Sequence, residues 1–387
     1  MKNITTEAWV LEAGPKGEVG VPADLKKTTY TFSDIQEFDV LAEPLYGCWE
    51  GNMGHALSRK PVDICLQRGE GQVVIGNAGV VRIAKTGSKV TSVKKGDHCL
   101  VFCNGVWDKF GYPMKIVGYD APNTMGVLAK QMKLHEKQVI LLPENSNHSL
   151  QQWAAFSLRY ITAWANWKLA YGCWRVQMTE EDCPAPFVWG WGGGVSMAEL
   201  ALAKFSGCRV AMISSNEKRL QMIEDMGIKP IDRKKFIDLD FDDKRYKQDP
   251  EYKKKYLESE KVFLDTVDEN TLGLGVSIFI DYVGSPVMRA TLKALARQGV
   301  ITTAGWKEGM KISTVRAIEC ISRHIHIHTH YARYDQGRAA VQFAENTGWM
   351  PKVDEKVYTW DEVPQLASDY KNGGDMSYYP IFQINSL

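Results

Sequence analysis

Hydrophobic and polar positions follow one rhythm through the first 150 residues and another beyond them. Residues 6–11, 73–81 and 99–103 are β-branched or aromatic runs closed by glycine or charged turns, the pattern of short strands. Gly14-Pro15, Thr86-Gly87 and Lys95-Gly96-Asp97 mark turns between them. Helical periodicity is scarce here, so the pattern predicts an irregular, antiparallel β domain.

Near Ser149 the period changes. Ser149 stands as an N-cap before a helix through Gln151, Trp153, Ala154 and Phe156. A second apolar helix is predicted through Ile161, Ala163, Trp164 and Trp167. Strands and helices then alternate: strand 187–189, helix 196–205, strand 209–213, helix 216–226, strand 276–283, helix 286–297 and strand 299–304. Such alternation buries a parallel sheet between two helical layers. Residues 234–261 hold nine basic and eight acidic side chains, read as a solvated helical insertion. After His330 an amphipathic helix at 336–347 and strand-like pieces at 356–360 and 378–384 are expected to rejoin the first domain.

Composition narrows the function classes. The 387 residues suit two domains. Lys plus Arg number 47 and Asp plus Glu 46, a formal net charge of +1, which argues against a dedicated nucleic-acid binder. No apolar run reaches the roughly 18 residues of a membrane span, and residues 183–198, the longest uncharged run of the middle, contain four glycines and two prolines. Glu7 and Glu12 interrupt any signal-peptide core. The eight cysteines are scattered without a C-x-x-C pair, so a cytoplasmic protein with reduced thiols is expected. The twelve tryptophans follow no repeat and are assigned to core and pocket walls.

The strongest chemical signal is Phe187-Val188-Trp189-Gly190-Trp191-Gly192-Gly193-Gly194-Val195-Ser196. A glycine cluster alone is a turn. After a buried strand, before a helix and inside an alternating unit, it becomes a dinucleotide loop whose backbone approaches a pyrophosphate. NAD-specific sites place an acid at the end of the second strand, about 20 residues on. Here the sequence is Ile213-Ser214-Ser215-Asn216-Glu217-Lys218-Arg219. Serine hydroxyls and cations favour a 2′-phosphate, so the expected cofactor is NADPH, although one of the two cations reads equally well as a solvated helix residue. Gly190, Gly192, Gly193, Gly194, Val195, Ser214, Ser215, Lys218, Arg219 and Gly284 are the expected cofactor-binding residues of this unit.

With these motifs placed, the chain resembles the medium-chain dehydrogenase/reductase superfamily, and within it the crotonyl-CoA carboxylase/reductase branch of enoyl-thioester reductases. Trp189-Gly190-Trp191-Gly192-Gly193-Gly194 is similar to that branch's W-G-A-S-G-G loop, and Ser214-Ser215 to its V-S-S strand end. Val74-Ile75-Gly76-Asn77-Ala78-Gly79-Val80-Val81, then Thr86-Gly87 and Gly96-Asp97, resemble its I-G-S-D-L-A-G-V-V, T-G and G-D series. Gln248-Asp249-Pro250 matches within the charged insertion, and Thr329-His330-Tyr331-Ala332-Arg333-Tyr334 resembles S-H-F-A-N-Y. The resemblance implies an α/β chain: a GroES-like, irregular β catalytic domain from residues 1–155 and 335–387, around a doubly wound Rossmann NADP-binding domain at 156–334 that carries the charged helical insertion at 234–271. It also implies a homodimer, and places Thr162, in a T-A segment, at the nicotinamide.

Zinc-dependent members of the superfamily carry G-H-E where this chain has Gly76-Asn77-Ala78, and Cys99 and Cys103 cannot close a tetrahedral site by themselves. No metal is expected. His324, His326, His328 and His330 alternate along a predicted strand and should share one face. Four histidines so close together could bind a transition metal, but no cysteine or carboxylate partner is visible nearby, so the rings are assigned to packing, to solvent, or to a strand edge that pairs with a dimer mate. The carboxylating branch uses an Asn, a Phe-Glu pair and a His around CO2. Through the local motifs these fall at Gly47, at Tyr119-Asp120 and at His330, with only the histidine unchanged. The catalytic candidates are therefore Tyr46, Tyr119, Asp120 and His330. Tyr46 reads equally well as an aromatic core residue, and Asp120 as a turn cap. The expected activity is zinc-independent, NADPH-dependent reduction of an activated double bond in an α,β-unsaturated thioester, a small molecule carried on CoA or a carrier protein. The alternatives are reductive carboxylation of an enoyl-CoA, NADPH-dependent reduction of a carbonyl or imine, and a non-catalytic nucleotide-binding protein.

Overall fold

The computed structural model describes residues 3–16, 20–305, 313–373 and 378–386, and every element and absence below refers to these. Two compact units divide the chain, residues 1–161 with 332–387 and residues 162–331.

The first unit opens with β1 (Asn3–Glu12), β2 (Lys26–Ser33), β3 (Asp39–Cys48), α1 (Gly51–Ser58), α2 (Ile64–Arg68), β4 (Gln72–Val73), β5 (Gly79–Thr86), β6 (His98–Val101), β7 (Asn104–Trp107), β8 (Pro113–Ile116), β9 (Met132–His135) and β10 (Val139–Leu141). The long α3 (Leu150–Gln177) follows. The second unit contains β11 (Phe187–Trp191), α4 (Gly194–Phe205), β12 (Arg209–Ser214), α5 (Glu217–Asp225), β13 (Lys229–Asp232), α6 (Asp243–Gln248), α7 (Pro250–Thr271), β14 (Val276–Asp281), α8 (Ser285–Ala294), β15 (Leu295–Thr302) and β16 (His326–His328). The chain closes through α9 (Tyr334–Thr347), β17 (Val357–Tyr358), α10 (Val363–Lys371) and β18 (Ile381–Gln383).

In the first unit the main sheet runs β10-β6-β5-β3-β18-β17, with β9 also on β3. All its pairings are antiparallel except β17 with β18. The C-terminal β18 thus completes a sheet begun by β3, with Phe382 opposite Gly47 and Gln383 opposite Tyr46. Its core gathers Trp49, Met53, Ile75, Val81, Val127, Leu128 and Phe382. The helix α10 lies between the two strand-like pieces and escaped the sequence pattern.

Two predicted helices are one. Ser149 Oγ accepts the Gln152 N–H at 3.2 Å while Gln152 Oε1 accepts the Ser149 N–H at 3.0 Å, a reciprocal start signal. No proline or glycine then interrupts residues 150–171, so nothing divides the helix. The charged insertion is solvated on one face only. Lys247–Asp243, Lys255–Glu251 and Lys261–Asp265 pair at one-turn spacing on α6 and α7. The opposite face of α7 buries Tyr256, Phe263 and Val267 in a core shared with Trp191 and Phe279. Charge density concealed that stripe in the sequence. The second unit's sheet is all parallel, in the order β13-β12-β11-β14-β15-β16.

Candidate active site

The parallel sheet changes its winding direction between β11 and β14: β12 and β13 lie to one side of β11, and β14 to β16 to the other. The crossover helices diverge there to opposite faces, opening a crevice beyond the carboxyl ends of the strands. At that point β11 ends and the chain turns through Gly192, whose φ is 135°. An added Cβ would stand 2.5 Å from Ser196 Oγ and 3.1 Å from Tyr282 Cβ, so glycine is required. Gly193 caps α4 without a side-chain hydrogen bond, and a Cβ built there meets nothing within 4 Å. The start of α4 thus offers amide dipoles and open space to a negative charge. Ser196 Oγ donates to the Trp191 carbonyl at 3.0 Å and ties the first turn to the strand, with Val195 half-buried beside it. Gly190 lies within β11, where a Cβ would crowd Ile280 and Leu200.

At the end of β12, Ser214 is half-buried and Ser215 exposed. Asn216 caps α5 by accepting the Arg219 N–H at 3.1 Å, which places Lys218 and Arg219 in the first helical turn. Glu217, the first acid in sequence after the strand end, pairs with Lys234 at 2.9 Å, and Asp232, opposite Ser214 in β13, accepts the Lys234 N–H at 2.9 Å. The sequence reading counted Lys234 only as the start of the charged insertion, because it did not predict β13. These groups suit a 2′-phosphate: hydroxyls, cations, and one acid already neutralised.

Two buried acids that the sequence reading missed shape the same crevice. Asp281, fully buried at the end of β14, accepts the Val283 and Gly284 N–H groups at 3.0 Å each and the Thr291 hydroxyl at 2.7 Å. It thereby fixes the turn at Gly284 that begins α8. Burial pushes its carboxyl above the ordinary range, against the pull of those donors. Glu199, fully buried in α4, pairs with the Tyr282 hydroxyl at 2.7 Å, and burial pushes it up to about 8. The available signal was an acid inside an otherwise apolar helix, Met197-Ala198-Glu199-Leu200.

In the same unit Asn166, 1% exposed, clasps the backbone of His330: it accepts the His330 N–H at 3.0 Å and donates to its carbonyl at 3.1 Å. It also donates to the Thr162 carbonyl at 3.1 Å, so Thr162 and His330, distant in sequence, share one anchor. The four-histidine strand is shorter than expected. Only His326 and His328 lie in β16; His324 takes a left-handed turn with φ 54° and meets Arg297, and His330 lies beyond the strand. The expectation that all four share one face therefore fails, because the extended backbone lasts only three residues.

In the first unit Tyr46 is buried in β3, between β5 and β18. Its neighbour Gly47 has no room for a side chain. An added Cβ would lie 2.6 Å from Phe382 Cε2 and 2.8 Å from Cε1. Tyr119 and Asp120 form a half-buried turn. The Tyr119 carbonyl accepts Arg68 at 3.0 Å, and Asp120 Oδ1 accepts the Ile116 N–H at 2.6 Å, which is a turn-capping bond. Tyr119 and Asp120 thus stand together, Tyr46 stands on a separate strand, and His330 belongs to the other unit.

Cys48, at the end of β3, lies beside a buried ion pair. Arg159 Nη1 is 3.1 Å from Glu50 Oε1 and 2.7 Å from Cys48 Sγ, and its Nη2 donates to the Trp49 carbonyl at 2.8 Å. Burial pushes the Cys48 thiol up to about 12 and Glu50 up to about 7, so the thiol is protonated at neutral pH. Next to Ala78, whose carbonyl accepts the Cys48 N–H at 3.2 Å, Asn77 is 1% exposed, and neither atom of its amide has a hydrogen-bond partner among the described residues. A buried amide left unpaired costs about 1–3 kcal/mol, which makes it a candidate to meet a ligand. The sequence reading treated Asn77 only as the replacement of a metal ligand.

No protein-family model and no curated protein sequence matches the chain. Solved structures do. The fold, a GroES-like β unit and a doubly wound Rossmann unit, is shared with solved crotonyl-CoA carboxylase/reductases and alcohol dehydrogenases. The crotonyl-CoA carboxylase/reductase AntE, solved with NADP, superposes with a TM-score of 0.79 at 18% identity, over 99% of this chain and 95% of that one. The 2-octenoyl-CoA carboxylase reductase CinF, solved with NADP and 2-octenoyl-CoA, gives 0.79 at 16% identity, over 98% and 87%. A thermostable alcohol dehydrogenase from Pyrobaculum aerophilum gives 0.72 at 15% identity, over 98% and 100%. At such identities the likeness defines the fold.

Proposed function

We propose that the chain is an NADPH-dependent reductase of an activated carbon–carbon double bond that works without a catalytic zinc, on an α,β-unsaturated thioester. The observation that carries the reading is the glycine-bounded start of α4 at the sheet's switch point, followed by a strand end of serines and cations. The substrate class is supported by the likeness to reductases described as acting on enoyl-CoA thioesters. The residues 162–331 are assigned to the nucleotide, and residues 1–161 with 332–387 to the substrate. A cytoplasmic homodimer belongs to the same proposal.

Bound NADPH supplies a hydride to the β-carbon of the substrate. The chain's own residues must then stabilise charge on the thioester oxygen and bring a proton to the α-carbon. We assign the oxygen to the Asn77 amide and the proton to Tyr46, with Tyr119, Asp120 and His330 as further candidates. Ser214, Ser215, Lys218 and Arg219 are assigned to the 2′-phosphate, the α4 start with Gly192 and Gly193 to the pyrophosphate, and Thr162 and Gly284 to the nicotinamide half. Reductive carboxylation is the less supported reading, since the Phe382 ring fills the space that a side-chain amide at position 47 requires.

The test is NADPH oxidation against a panel of enoyl thioesters, on CoA and on a short carrier mimic, beside a panel of aldehydes, ketones and imines. Consumption of an enoyl thioester is expected. Turnover confined to the carbonyl or imine panel would leave the scaffold reading intact and remove the substrate.

A further inference from the structure

The second unit also brings together four side chains that the nucleotide chemistry does not use. Cys173 and Gln177 lie one turn apart near the end of α3, on one helix face. His326 and His328 alternate along β16, the edge strand of the parallel sheet, so their rings fall on one side. The two rings are parallel within 2°, with centroids 6.1 Å apart. His328 Nε2 is 3.2 Å from Cys173 Sγ, and His326 Nε2 is 3.1 Å from Gln177 Oε1.

We propose that Cys173 Sγ, His326 Nε2 and His328 Nε2 bind a Zn2+ ion that clips the end of α3 to the edge strand β16. The three ligand atoms lie within 4.8 Å of one another, and all three residues are half-buried. In a tetrahedral zinc site, Zn–N of about 2.0–2.1 Å and Zn–S of about 2.3 Å separate ligand atoms by roughly 3.3–3.7 Å. The thiol–imidazole contact of 3.2 Å is within a few tenths of an ångström of this range, and a small rotation of His326 brings in the third donor. One thiolate with two imidazoles selects zinc or its soft neighbours over magnesium or calcium, which take oxygen donors.

Gln177 completes the arrangement. Its Nε2 donates to the Cys173 carbonyl at 3.1 Å and lies 3.8 Å from Cys173 Sγ. The amide is thereby turned with its oxygen toward His326 Nε2, so that once this nitrogen ligates the ion the oxygen is placed to fill the fourth corner. On binding, the Cys173 proton leaves to solvent, and the protons of the two imidazoles reside on Nδ1, which frees both Nε2 lone pairs. The ligands come from both ends of the unit, 155 positions apart for Cys173 and His328. This is why the histidine strand showed no partner in the sequence, and why an ion there cross-links elements that the chain connects only at length. The site is structural, and none of its residues is among those assigned to the reaction, so it does not conflict with zinc-free catalysis.

The test uses the whole chain after dialysis against a chelator, titrated with Zn2+ in competition with a chromophoric chelator, and separately with Co2+. The expected result is one equivalent of either ion. The Co2+ form should show the intense visible bands of tetrahedral cobalt and a near-ultraviolet sulfur-to-metal band. Cys173→Ser should abolish the sulfur band. Gln177→Ala should weaken Zn2+ by roughly 10–100-fold while keeping that band. His324→Ala, at the neighbouring turn, should leave both unchanged. Circular dichroism on each variant separates lost binding from lost folding. Absence of stoichiometric binding by the folded parent chain, or a sulfur band that survives Cys173→Ser, overturns the proposal and leaves the cluster as a pair of hydrogen bonds.

Discussion

At the scale of single residues, the informative positions are those where polar atoms are buried at a cost. Asn77 has both ends of its amide unpaired in the core of the first unit. Replacing it by leucine, of similar shape, removes that desolvation and is expected to stabilise the chain by about 1–3 kcal/mol. If the amide holds the substrate oxygen, the same variant should lose at least about 10-fold in kcat/KM, since a lost donor to a developing charge is felt in the transition state. Higher thermal stability with unchanged turnover would reduce Asn77 to a packing residue. Glu199 gives a pH prediction of definite sign. Burial raises it from 4.5 to about 8, so across that interval the folded chain holds a proton that the unfolded chain releases. Its contribution to stability is full below about pH 4.5 and is lost as the pH rises through about 8. Chemical denaturation between about pH 5 and 8.5 should show the parent losing stability with rising pH. Glu50, pushed up to about 7, acts in the same direction. Glu199→Gln should flatten the slope in part, and an identical slope would show that Glu199 does not titrate in this range.

At the scale of elements, the loop between β12 and α5 sets the cofactor preference we assign. Ser215 is exposed at the strand end, and a carboxylate there repels a 2′-phosphate while accepting the ribose hydroxyls of NADH. Ser215→Asp is expected to weaken NADPH relative to NADH by about 10–100-fold, the scale of one charge-assisted contact of roughly 1.5–3 kcal/mol. Titration of both cofactors checks it, and a variant that still prefers NADPH as strongly as the parent removes the serines from recognition. The elements also show what a sequence can disclose. The run from Phe187 to Phe205 is legible because a buried strand, a glycine turn and an apolar helix are local patterns within 19 consecutive residues. The capping of α3 by Ser149 and Gln152 is legible for the same reason. The apolar stripe of α7 was hidden because charges occupy most of its other positions, and Tyr256, Phe263 and Val267 stand out only beside Trp191 and Phe279. Phe382 against Gly47 and Cys173 against His328 join residues far apart in the chain. No periodicity encodes such pairs, and they are the contacts that bear most directly on the site.

At the scale of the whole molecule, the proposed activity raises the question of what would become of the carbanion that hydride transfer would leave at the α-carbon. An enzyme that carboxylates must hold CO2 against that carbon and keep protons away from it. Holding CO2 needs hydrogen-bond donors aimed at its oxygens. In this chain β18, contributed by the last residues of the first unit, lays Phe382 directly across from Gly47, and its ring fills the volume that a donor side chain would occupy. The Asp120 carboxylate is engaged in capping its own turn through the Ile116 N–H, and Tyr119 adds a hydroxyl where the resembled branch has a phenylalanine. The way in which the chain closes its β sheet thus removes a donor and leaves protic groups, so protonation is the expected outcome. With an enoyl thioester and saturating bicarbonate, mass analysis should find the saturated product. In deuterated water that product should carry one deuterium at the α-carbon. A predominantly carboxylated product would reverse the assignment and require CO2 to be held by groups other than position 47. Substituting Phe382 by a smaller residue together with Gly47→Asn offers the converse check. If the double variant folds and begins to retain labelled carbon from bicarbonate, the block lies in that one contact between the third strand and the last.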